Sequence, residues 1–125
     1  NVVAVPSHHD NNPGAAMEAA KMGKPLVLAH FAGAGELFVD RPRGQGLEVA
    51  LGVRKPYSTG SKKYFGIDEK DLAKQIDRLI TDDGLARRLS TDAKTYWEKA
   101  LQPDKMAKRY LDLFDRLQEK GQKPA

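Results

Sequence analysis

The fold is decided by residues 1–30, "NVVAVPSHHDNNPGAAMEAAKMGKPLVLAH". Val2 to Val5 is an unbroken apolar run rich in β-branched residues, the composition of a strand buried on both faces. Pro6 and Ser7 end it. Pro13 then stands where a helix tolerates proline, in its first turn, and Gly23 stands just past a helix end. Between them "GAAMEAAKM" consists largely of strong helix formers. Pro25 to His30, "PLVLAH", is a second apolar run. Strand, helix and strand within about thirty residues make a βαβ unit, which predicts a parallel sheet with a right-handed crossover.

Working outward, "AGAG" (Ala32 to Gly35) predicts a tight loop, and "ELFVD" after it a short helix or turn. "GLEVAL", Gly46 to Leu51, is a candidate third strand. Residues 54–66 lie in a basic, aromatic stretch, "GVRKPYSTGSKKYFGI", whose breakers predict a long loop or a flexible hairpin. Three amphipathic helices follow. The first starts at Asp68, with Asp71 as a loose capping pair, and carries Leu72, Ile76, Leu79 and Ile80 on one face. The second carries Leu85, Leu89, Ala93 and Trp97. The third, after Pro103, carries Met106, Tyr110, Leu113, Phe114 and Leu117, which read as core. The expected class is α/β: a partial Rossmann-like three-layer domain with a short parallel sheet and a C-terminal helical run. Residues 1–118 form it, and 119–125, "EKGQKPA", read as a frayed tail.

A chain of 125 residues can bury roughly two thirds of its unfolded surface, enough for a real core. It has no cysteine, which excludes a disulfide framework and fits a reducing, cytoplasmic setting. No apolar run approaches the ~18–20 residues of a membrane span. The first residues form no signal peptide and start directly on a strand, so the chain reads as a piece of something longer. The net charge is +4, but acids and bases alternate along the helices and no nucleic-acid recognition motif is present. Nucleic acid is therefore not an expected partner.

Ligands of open parallel sheets sit outside the carboxyl ends of the strands, on loops leading into helices. Ser7 to Asn12 occupies such a loop. The helix behind it offers free N–H groups and a partial positive charge suited to phosphate. Gly14 and Ala15 allow close backbone approach. Asp10 and Glu18 are placed to accept hydrogen bonds from hydroxyls, as carboxylates do for sugars and riboses. These residues describe a pocket for a phosphorylated, hydroxyl-rich ligand without separating a nucleotide, a sugar phosphate and a nucleotide sugar. His8, His9 and Asp10 also invite a metal reading, but neighbouring residues at a strand end point opposite ways, so no metal site is expected. His30, closing a strand, reads as structural.

"PSHHDNNPGAAMEAAKMGKPLV" resembles the signature of the C-terminal domain of retaining GT-B glycosyltransferases of the family-four type. That pattern runs Pro-Ser-x-x-Glu-Gly-Phe-Gly-x-x-x-x-Glu-Ala-x-x-x-Gly-x-Pro-Val-Val. Pro6, Ser7, Ala19, Gly23 and Pro25 match, Asp10 falls on the first acid and Glu18 on the second. "GAGELF", "GQGLEV" and the helix pair around "TDDG" resemble later parts of the same domain. The resemblance implies a site for a nucleotide-diphospho-sugar such as a UDP- or GDP-sugar, and no cofactor. It implies Asp10, Asn12, Pro13, Gly14 and Ala15 at the donor sugar and Glu18 at the ribose. Ser7, His9, Met17 and Glu36 would line the pocket.

Three departures matter. Asp10 is one methylene shorter than the family's glutamate, and "NNP" replaces Gly-Phe-Gly, so Pro13 removes an N–H from the phosphate cradle. The family's basic residues for the leaving diphosphate, and its acceptor domain, have no counterpart here. The resemblance therefore implies a donor-site portion that is inactive alone, with a sugar or lipid-linked acceptor reaching it through an absent N-terminal domain. A sugar-nucleotide epimerase of similar architecture and a non-catalytic α/β binding module are the alternatives. The 54–66 loop is most simply a solvated insertion, but its charges and rings also suit a lipid-linked acceptor, a partner domain or peripheral contact with the inner membrane face. An open edge on so short a sheet also invites self-association.

Overall fold

The computed structural model describes residues 1–6 and 13–122. β1 (Val3–Val5), β2 (Leu26–Ala29) and β3 (Ala50–Val53) form a parallel sheet in the order β1-β2-β3. Its register pairs Val3 with Leu26 and Leu26 with Ala50. β-branched and leucine side chains on both faces make this sheet a middle layer: all four residues of β2 are buried. Leu26 and Leu28 join Val5, Ala50 and the alanines of α1 (Gly14–Lys21) on one face. Val27, Leu51 and Val53 meet Leu79, Leu85 and Leu89 on the other. Each fully buried Leu or Val contributes about 1.5–3 kcal/mol relative to exposure, so the two faces together hold the unit.

α1 shows why its sequence suits its place. Ala16, Ala19 and Ala20 are buried, and their small side chains let the helix approach the sheet. Its end is a Schellman turn: Lys24 N–H donates to Ala19 O and Gly23 N–H to Ala20 O. Gly23 supplies the positive φ (64°) this turn requires.

The segment after β2 differs from the loop expected for Ala32 to Gly35. Those residues form the first helical turn, α2 (Ala32–Gly35), running on through a π-helical turn (Glu36–Asp40) into α3 (Arg41–Gly44). In the widened turn Arg41 N–H reaches back to Glu36 O. The widening stands just before Pro42, which has no N–H and whose ring would crowd the carbonyl of Phe38 in an ordinary α-turn. A turn at Gln45 and Gly46 then closes the helix. Gly46 to Val49 is a connection, so the third strand begins four residues later than "GLEVAL" indicated.

β4 (Lys55–Thr59) and β5 (Lys62–Gly66) pair antiparallel as a hairpin. α4 (Glu69–Thr81) follows. As expected, Asp68 caps it, its carboxylate accepting from Lys70 N–H (3.1 Å) and Asp71 N–H (3.2 Å). α5 (Asp83–Tyr96) starts on the equivalent cap, Asp82 to Leu85 N–H. It touches both cores, giving Leu85 and Leu89 to one and Ala93 and Tyr96 to the other. It does so by passing the end of the sheet where the strands begin, pinned there by Asp92 on Glu48 N–H and by Arg88 on the Glu48 carboxylate, both 2.9 Å.

A second π-helical turn (Trp97–Leu101) leads to α6 (Pro103–Gln122). Here the structure overturns the core assignment for the third helix. Met106, Tyr110, Leu111, Leu113, Phe114 and Leu117 are 41–61 % exposed, because α6 leaves the body at Pro103 and lies against neither face of the sheet. Its 3.6-residue periodicity is real, but nothing among the described residues covers the stripe. Ile80 also departs from expectation: it is exposed, while Leu79 beside it is buried. Glu119 to Gln122 continue the helix where a frayed tail was expected. No helix among the described residues is long and apolar enough to cross a membrane.

Candidate functional site

Because the strands are parallel, their carboxyl ends, Val5, Ala29 and Val53, share one edge of the sheet. Two groups of side chains gather at this end. The first belongs to α1. Pro13 is buried in an extended conformation just ahead of the helix, and Gly14 and Ala15 are exposed in its first turn. A Cβ built on Gly14 would meet no atom within 4 Å. Glu18 lies one turn after Gly14 and three residues from Ala15, so Ala15 and Glu18 share one exposed face. Its carboxylate has no partner among the described residues. Met17 is half-buried and packs on the first core. Ser7, His9, Asp10 and Asn12, the remaining expected site residues, lie outside the described residues.

The second group follows β2. His30 N–H donates to Val53 O at 2.9 Å, carrying the ladder one residue past the strand. Its ring sits between two glycines. A Cβ on Gly52 would stand 2.7 Å from His30 Cβ, and one on Gly35 would stand 2.9 Å from the His30 carbonyl carbon. At Gly52 the His30 side chain takes the room, and at Gly35 its main chain and ring edge do so together. Nε2 lies 2.8 Å from Asp40 Oδ1 across the π-helical turn, with the histidine side chain 17 % exposed. When Nε2 carries the proton, Nδ1 is left as an acceptor; a doubly protonated ring makes the contact an ion pair. Glu36 is exposed, and its carboxylate is engaged by Arg41 Nη2 at 3.3 Å. The structure therefore adds His30 and Asp40 to the residues read from sequence. The ten-residue spacing between them has no motif value; only the π-helical turn brings them together.

Tyr96 anchors this helical run from behind. Its hydroxyl donates to Leu37 O at 2.5 Å, and its ring meets Phe38 edge-on at 6.5 Å. Burial pushes its phenol pKa up; the nearby charges of Arg41 and Arg109 oppose that shift more weakly.

A cleft of about 910 Å³ opens at the opposite end of the sheet, where β1 and β2 begin, between Lys24, Ile76, Asp83, Arg87, Ser90 and Thr91 among others. None of the expected site residues among those described lines it. Parallel sheets place ligands at the carboxyl ends, where loops and helix N-termini converge, so the α1 edge remains the better-founded candidate. No group of three or more His, Asp or Glu suited to a metal occurs among the described residues.

What fold and site define together is a three-layer α/β chain with a polar, glycine-lined edge at the carboxyl ends of its strands. Neither a comparison with protein-family models nor one with curated proteins finds a match.

Proposed function

We propose that the chain supplies the nucleotide-sugar side of a retaining sugar transfer, in the manner of GT-B glycosyltransferases of the family-four type, in a cytoplasmic setting. One observation carries the reading: α1 leaves the carboxyl edge of the sheet with its glycine-opened N-terminus and Glu18 on exposed surface. Free N–H groups of the first turn suit a diphosphate. A carboxylate one turn further along suits a ribose diol, each oxygen accepting from a hydroxyl. Asp10 and the loop before α1 would hold the sugar. The His30–Asp40 pair, at the same end of the sheet, offers a proton donor or acceptor to a hydroxyl-bearing ligand. Transfer in the complete assembly would rest on electrostatic support of the leaving nucleotide diphosphate and on positioning of the acceptor.

Titration of the isotope-labelled chain with UDP, GDP and their sugars, followed by amide shifts, tests this directly. Shifts concentrated on Gly14 to Glu18, preferring one base and lost in Glu18→Ala, are the expected result. Unmoved amides there at millimolar ligand, with a folded spectrum, refute the donor site and favour a binding module of the same architecture.

A further inference from the structure

The hairpin β4–β5 is absorbed by neither the core nor the candidate donor site. Its tip is a two-residue turn in which Gly60 takes a positive φ (61°), as the primed turns of hairpins require. Every residue of β4 and β5 is exposed except Gly66. Arg54, Lys55, Lys62 and Lys63 lie on it, and no acid occurs from Val49 to Ile67. Of the chain's 21 basic and 17 acidic residues, the other 17 bases balance the 17 acids. The whole excess of +4 thus belongs to this one projection.

Its aromatic residues are arranged, not merely exposed. Tyr57 and Tyr64 face each other across the strands and stack, centroids 5.7 Å apart and planes 14° from parallel. The Tyr57 ring lies over Gly66, where any Cβ would collide with it. Tyr64 Oη is 3.1 Å from Thr59 Oγ1, so its polar tip has a partner within the hairpin when it leaves water. The Arg54 guanidinium sits 4.5 Å over the Phe65 ring, and Lys55 Nζ 5.8 Å from the Tyr57 centroid. A groove of about 480 Å³ runs between Pro56, Tyr57, Ser58, Lys63, Tyr64 and Phe65.

We propose that this hairpin docks on an anionic lipid surface, a role beyond and independent of the sugar-nucleotide reading. Amphipathic rings settle at the depth of lipid headgroups, and cations held over those rings arrive there beside the phosphates. The charge complementarity is local, matching a membrane face touched at one projection. A single-stranded nucleic acid would need free ring faces for its bases and a basic track for its backbone. Here cations or a neighbouring ring already occupy faces of Phe65, Tyr57 and Tyr64, and the rest of the chain is neutral. The exposed stripe of α6 is a weaker candidate for the same surface, because Asp104, Asp112, Asp115 and Glu119 intersperse its bases.

The test is sedimentation of the full chain with vesicles of phosphatidylcholine alone and of phosphatidylcholine mixed with phosphatidylserine. Binding to the mixed vesicles only, released by salt, is expected. Lys62→Gln with Lys63→Gln should weaken it by about 25-fold, at roughly fivefold per cation near an anionic surface. Lys105→Gln with Lys108→Gln on α6 removes the same charge elsewhere and should leave binding unchanged. All four positions are exposed, and circular dichroism of both variants verifies the fold. Indifference to phosphatidylserine, equal losses in the two variants, or binding of oligouridine without vesicle binding would each overturn the proposal.

Discussion

Replacing Tyr96 by phenylalanine isolates the bond that ties α5 to the helical run bearing His30's partner. The ring is 1 % exposed, and phenylalanine keeps its edge-on contact with Phe38. What is lost is the hydroxyl's 2.5 Å hydrogen bond to Leu37 O. A half-buried carbonyl deprived of that donor costs about 1–2 kcal/mol, which in a chain of this size lowers the thermal midpoint by about 4–8 °C. A second signature is electrostatic. Burial raises the Tyr96 pKa in the folded state, so the folded chain holds this proton when the unfolded chain has begun to lose it. The contribution is therefore complete below the unfolded value, about pH 10, and is lost as pH rises through the higher folded value. Thermal melts of both proteins at neutral pH and at about pH 11 measure the two effects. The variant should start lower and lose less on going alkaline. Equal midpoints at neutral pH, or parallel alkaline losses, would refute the reasoning.

Three further outcomes follow from the packing. Gly52→Ala forces a methyl to 2.7 Å from His30 Cβ; overpacking of this kind costs about 1–3 kcal/mol, read as a lower urea midpoint with an unchanged slope. Leu89→Ala empties a site that is 0 % exposed between sheet and α5 and should cost about 2–5 kcal/mol in the same measurement. Ending the chain after Gln102 removes only exposed helix, so circular dichroism should show less helix while the thermal midpoint moves by less than about 2 °C; a larger fall would mean that α6 packs on the body.

The helices and the βαβ unit were legible because their signals are local. β-branched runs, the Asp68 cap and Gly23 past the end of α1 each act through neighbours a few residues away. "AGAG" misled because glycine reads as a breaker in isolation. Gly35 is instead a helical residue whose missing side chain makes room for His30. The start of β3 slipped because the turn at Gly46 and the bond from Asp92 to Glu48 N–H, two segments far apart in sequence, decide where the strand begins. Within the candidate site Gly14, Ala15 and Glu18 could be named from their place at a helix start behind a strand end and from the resemblance of that stretch to a family signature. His30 and Asp40 could not, since a π-helical turn shifts the face on which Asp40 emerges.

By itself the sequence determined the parallel α/β class, the order of its first elements and the concentration of excess charge in residues 54–66, because periodicity, capping and composition are properties of short windows. Tertiary structure alone decided which amphipathic faces are covered. Tyr96, outside the apolar stripe of Leu85, Leu89, Ala93 and Trp97, became a buried anchor because that helix passes from one core to the other at the end of the sheet. The equally periodic stripe of α6 stayed in solvent because the chain turns away at Pro103. Periodicity states which side of a helix prefers burial; only the path of the chain supplies a surface to bury it against.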